Sequence, residues 1–126
     1  MELNLTNHTK IRDVKKQFCA YFPYLKLEFF KGEGLAFGQK LEAGTYLNDV
    51  SVRLNETGFY FDPSSSVAEF ELRLRAEHGL TVRVFRKYEN LWLETVQTDN
   101  LSLKKQNEMG RRYALPLRFN INALFL

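Results

Sequence analysis

Two stretches of this chain, residues 2 to 31 and 58 to 87, carry the same order of apolar residues: a short alternation, a helical stripe, then a second alternation. Leu3 and Leu5 match Phe59 and Phe61, and Ile11, Val14 and Phe18 match Val67, Phe70 and Leu74. After a one-residue slip in the turn, Leu25, Leu27 and Phe29 match Leu80, Val82 and Val84. Period 2 buries one face of a strand and a period near 3.6 buries one stripe of a helix, so each stretch reads as strand, helix, strand. Unrelated units of this kind also look alike, so the echo specifies an architecture whether or not it records a duplication.

The residues between the apolar sets mark the boundaries. Asn7 to Thr9 offer caps for a helix through Ile11, Val14, Phe18 and Phe22, which Pro23 stops. Tyr24 to Phe30 then alternates as a strand. Four glycines loosen residues 32 to 57, where TYLNDV at 45 to 50 echoes TKIRDV at the first helix and suggests a truncated one. Gly58 to Asp62 reads as a strand that Pro63 terminates. In the next helix, Ser66 and Glu69 have the spacing of a capping box, and Glu69 with Arg73 and Glu71 with Arg75 the spacing of i,i+4 ion pairs. His78-Gly79 closes it. Strands at Leu80 to Phe85 and Leu91 to Val96 flank a turn short enough for a hairpin. A weaker helix at Leu101 to Glu108 is expected to end at Gly110, and Tyr113 to Leu126 forms an apolar tail.

A chain of 126 residues fits one domain, and 44% hydrophobic residues suffice for one core. Parallel strands joined through a helix cross over right-handedly. Two such βαβ-like units plus a hairpin predict an α+β fold with one mixed sheet and its helices on one face, comparable to ferredoxin-like or ubiquitin-like arrangements. The expected domain spans residues 1 to 112, with 113 to 126 as an extra strand or a partner-docking segment.

A net charge of +3 is mild beside the clustered basic stripe of a dedicated nucleic-acid module. One cysteine, Cys19, excludes an internal disulfide, and no stretch approaches a membrane span, so a cytoplasmic location is expected. Gly32, Gly34 and Gly38 follow a strand but match neither a dinucleotide fingerprint nor a P-loop. His8 and His78, at helix ends where capping or solvent explains them, form no metal pattern with Cys19, which reads as a half-buried helix residue rather than a nucleophile. The carboxylates sit mostly beside basic partners, as surface pairs do, and not as an acid/base couple. No catalytic constellation, cofactor or metal is therefore expected.

Two polar groupings stand out. Lys10, Arg12, Lys15 and Lys16 occupy the polar faces of the first helix, as a solvated surface or a phosphate contact. Arg83, Arg86, Lys87, Trp92, Glu94, Thr95, Thr98 and Asp99 cluster around the hairpin, with Trp92 out of phase with Leu91 and Leu93 and so directed to the second sheet face or a contact surface.

The runs GLTVRVFRK at 79 to 87, LWLETVQTD at 91 to 99 and LSLKKQN at 101 to 107 resemble a small bacterial family, found largely in Bacteroidetes, that reads GL-x-V-x-V-FRK, WLET-x-x-TD and TL-x-x-QN. The resemblance covers roughly residues 1 to 110 and implies no activity. Carried over by position, it adds Gln106 and Asn107 to the hairpin grouping. Tyr88-Glu89 replaces a more turn-like Ser-Gly, and Ser102-Leu103-Lys104-Lys105 lacks the acidic member of a capping box.

The function expected from these features is a small non-catalytic protein-interaction module, binding another protein or a second copy of itself through a strand edge or the hairpin grouping. The alternative is a nucleic-acid-associated protein that uses the basic helix and hairpin residues. No membrane partner is expected.

Overall fold

The computed structural model describes residues 1–32, 38–51, 54, 56 and 58–114. Gly34 of the glycine-bearing loop and tail residues 115–126 lie outside the described residues, as does any role for the tail as a strand or docking segment. The elements run β1 (Glu2–Leu3), α1 (Ile11–Tyr21), β2 (Leu25–Phe30), α2 (Leu47–Val50), β3 (Phe59–Tyr60), α3 (Val67–His78), β4 (Thr81–Tyr88), β5 (Leu91–Glu94) and α4 (Leu103–Ala114), with a 3-10 turn at Val96–Thr98 before α4.

The fold is α+β, but its strands form two antiparallel sheets and not one mixed sheet. β1 pairs with β3, Leu3 opposite Phe59, and β2, β4 and β5 pair in that order. Among the described residues no parallel crossover is made, because α1 and α3 each join strands that belong to different sheets. Alternation determines which face of a strand is buried and leaves the neighbour open. Here the first strands of the two units pair with each other, and so do the second strands, with Glu28 directly opposite Arg83.

The two stretches make matching hydrogen bonds at one constant offset along the chain. The N–H of Ile11 donates to Thr45 O at 2.9 Å, and that of Val67 to Leu101 O at 3.0 Å. Arg12 donates to Ala43 O and Ala68 to Asp99 O, both at 2.9 Å, while Leu47 donates to Thr9 O at 2.9 Å and Leu103 to Ser65 O at 3.0 Å. The isolated bridges Lys10 to Tyr46 and Ser66 to Ser102 keep the same offset. The short helix α2, foreshadowed by TYLNDV, therefore stands to α1 as α4 stands to α3.

The core joins both sheets through the helices. Ile11, Val14 and Phe18 of α1 and Val67, Phe70 and Leu74 of α3 are buried with Leu25, Leu27, Phe29, Val82 and Val84. Phe70 contacts Phe18 of the other helix, ring centroids 5.4 Å apart, and Phe59 and Phe61 beside β3 at 5.7 and 5.1 Å. Tilted and edge-on rings suit the aromatic quadrupole. Burying each large side chain stabilises the fold by about 1.5–3 kcal/mol.

Several local expectations change. The cap of α1 is Lys10, whose N–H donates to Asp13 Oδ2 at 3.0 Å. At α3 the Ser66 hydroxyl accepts from Glu69 N at 3.1 Å as the capping box requires, and Gly79 ends the helix at φ +66. Arg73, however, pairs with Glu77, and Glu71 turns toward β4 and not toward Arg75. His78 is buried and Cys19 is exposed. The hairpin turn holds Glu89 at φ +54, a left-handed conformation that glycine adopts more readily.

Gly110 does not close α4, which runs on to Ala114. A β-carbon there would lie 2.8 Å from both the Cβ and the carbonyl oxygen of Tyr24, so the glycine lets α4 press against the corner between α1 and β2. Gly110→Ala should therefore destabilise the protein by about 1–2 kcal/mol in urea unfolding. Overpacking, at about 1–3 kcal/mol, exceeds the gain in helix propensity of about 1 kcal/mol. Unchanged or higher stability would show that the contact is not tight.

Candidate functional site: the outer sheet face and its two charge clusters

Alternation divides the β2-β4-β5 sheet into two faces. Leu25, Leu27, Phe29, Val82 and Val84 are buried under the helices. Lys26 and Glu28 of β2, Arg83, Phe85 and Lys87 of β4, and Trp92 and Glu94 of β5 stand in the opposite phase, on the outer face. Helix α4 also reaches the sheet from the buried side, through Gln106 onto Arg86, which shares its phase with Val82 and Val84.

Trp92 is the centre of the outer face. The Lys26 ammonium lies 5.1 Å from its ring centroid and the Lys87 ammonium 4.9 Å, and Lys26 also lies 5.8 Å from the Phe85 ring. Cations over aromatic faces are attracted by about 0.5–1 kcal/mol where partly exposed. Trp92 is half-buried.

A buried carboxylate sits on the β2 side of this face. Glu28 is only 2% exposed and forms ion pairs with both Lys15 of α1 and Lys40. A charge removed from water persists only when paired, and here two ammonium groups share one carboxylate. The cations crowd one another: burial first, and then the charges of Lys40, Lys15 and Lys87, hold Lys26 below the usual lysine range.

The β4 side carries the reverse. Arg83, opposite Glu28 in register, lies 4.0 Å from Glu71 of α3. The other Glu71 oxygen accepts the Val84 N–H at 2.9 Å, just past the point where β5 stops covering β4, and the Thr95 hydroxyl donates to Val84 O at 2.8 Å. Burial pushes the Glu71 carboxyl up to about 7, with Asp99 and Glu94 adding to the rise and the Val84 N–H and Arg83 opposing it. A cavity of about 160 Å³ opens here between α3 and β4, walled by Glu71, Leu72, Arg75, Thr81, Arg83 and Asp99.

The structure divides the residues singled out from sequence. Arg83, Lys87, Trp92 and Glu94 share the outer face, with Asp99 near Glu71 at its margin. Arg86, Thr95, Thr98 and Gln106 form a structural network beneath: fully buried Gln106 accepts from Arg86 Nη1 at 3.0 Å and donates to Thr98 O at 2.7 Å. Asn107 accepts the Tyr24 N–H at 2.9 Å. The basic helix residues separate, since Lys15 pairs with Glu28 and Lys10 lies 5.0 Å from the Tyr46 ring centroid, leaving Arg12 and Lys16 exposed. Among the described residues, no group of three His, Cys, Asp or Glu side chains could hold a metal.

Glu28 and Glu71 are what the sequence reading passed over. Glu28 looked like the polar phase of a strand and Glu71 like half of a surface pair. One signal could have found them. Under the repeat pattern Lys15 falls on Glu71 and Glu28 on Arg83, so an ion pair of opposite polarity recurs at matched positions.

Glu71 makes stability depend on pH. Its folded pKa is raised, so its contribution is fully present below the unfolded value near 4.5 and is lost as pH rises through about 7. Relative to Glu71→Gln, which keeps an oxygen for Val84, the unmodified protein should lose on the order of 2 kcal/mol between those limits. Urea unfolding of both proteins across that range checks it, and parallel curves would contradict it. Compared with known proteins, the chain matches no family model, no curated protein and no solved structure.

Proposed function

We propose that this chain is a small non-catalytic protein-interaction module that binds through the outer face of the β2-β4-β5 sheet. The observation that carries the reading is Trp92, with the ammonium groups of Lys26 and Lys87 over its ring, on the sheet face opposite the buried one. An aromatic residue framed by polar ones is the usual anchor of a protein interface. The matched hydrogen bonds support reading the chain as a duplicated unit whose second copy gained the hairpin.

The same observations weigh against nucleic acid. A strand of bases stacks on open aromatic faces, and here lysines lie over the ring. The helix lysines do not assemble into one free patch. The single exposed cysteine suits a reducing, cytoplasmic setting, and no described helix is long and apolar enough to cross a membrane.

Placing p-benzoylphenylalanine at Phe85 tests the reading. Irradiation in the native cells should yield an adduct of defined mass that resists nuclease, yields to protease, and disappears with Trp92→Ala. A nuclease-sensitive adduct, or none, overturns the reading.

A further inference from the structure

We propose that the outer face binds a second copy of this chain, face to face, about a two-fold axis running along β4. This rests on the reading of that face as a binding surface and names its occupant. Register places Lys26, Phe85 and Glu94 in one row across three strands: a cation on β2, an aromatic ring on β4 and an anion on β5. Turning a second copy about an axis along β4 sets its Glu94 over Lys26 and its Lys26 over Glu94, with Phe85 meeting Phe85. Turning it about an axis across the strands sets Lys26 on Lys26 instead. Only the first geometry pairs opposite charges twice.

The flanking groups extend the match. The β2 side is cationic around Glu28, with Lys15 and Lys40 beside Lys26. The opposite side carries Glu94 and Asp99, both close enough to act on Glu71, beside Arg83. A surface with Lys26 on one margin and Glu94 on the other is self-complementary under that rotation, as an isologous interface requires. Half-buried Phe85 and Trp92 add apolar area in and beside the charged row.

Sedimentation equilibrium of the full chain at low and high salt tests this. The unmodified protein should form a dimer whose population rises with concentration and falls with salt. Lys26→Glu places two carboxylates opposite Glu94 and its copy, and Glu94→Lys places lysines opposite lysines, so each variant alone should self-associate at least about tenfold more weakly. Mixed in equal amounts, the two variants regain both pairs and should form a heterodimer as tight as the unmodified dimer. Circular dichroism checks that each variant is folded. A protein that is monomeric throughout, a dimer indifferent to both reversals, or a mixture that does not associate overturns the inference. A monomer whose Phe85 probe still captures a different protein overturns it alone and leaves the interaction reading standing. A monomer with no adduct overturns both.

Discussion

The antiparallel ladder between β2 and β4 is the constraint on which the rest depends. Six residue pairs join strands that are far apart in sequence, from Leu25 opposite Arg86 to Phe30 opposite Thr81. The ladder holds α1 and α3 side by side, because each helix lies against its own strand of the pair. Their rings then meet, and the cluster around Phe18 and Phe70 reaches the β1-β3 ribbon. Without the ladder, each strand-helix-strand stretch would have an apolar face and nothing to set against it.

Much of this was legible in the sequence for reasons that are physical. Ile11, Val14 and Phe18, or Leu25, Leu27 and Phe29, show which side of an element avoids water, and that side is buried. Which strands become neighbours is decided by contacts between residues far apart in the chain, and alternation carries no record of them. A parallel crossover was the commoner expectation for a strand-helix-strand unit, and the pairing of Leu3 with Phe59 overrides it. Gly110 misled for a related reason: the residue that often ends a helix here permits a close approach within one. The candidate site was half legible. Trp92 and Lys87 lie where the phase of the hairpin put them, whereas Gln106 and Thr95 looked like surface residues; Gln106 instead binds the hairpin to α4, and Thr95 binds β4.

Charge does something in this fold that apolar pattern cannot. If the two stretches were identical, the residues facing each other at the centre of the ladder would carry the same charge, and two like charges directly opposite destabilise a sheet. Glu28 facing Arg83 removes that conflict, and Lys15 and Glu71 reverse with them. The reversal leaves Glu28 with two cations and Arg83 with a more distant carboxylate. That difference makes the first stretch's cluster compact and the second's open to solvent through the cavity.

Beside the ladders, ties from α2 and α4 also cross between the two halves. The Ser51 hydroxyl after α2 donates to the carbonyl of His78 at the end of α3, at 2.7 Å, and Asn107 of α4 receives the Tyr24 N–H just past α1, at 2.9 Å. Each short or late helix thus latches a corner belonging to the opposite stretch. Peeling either half away would first have to unfasten the lock held by the other.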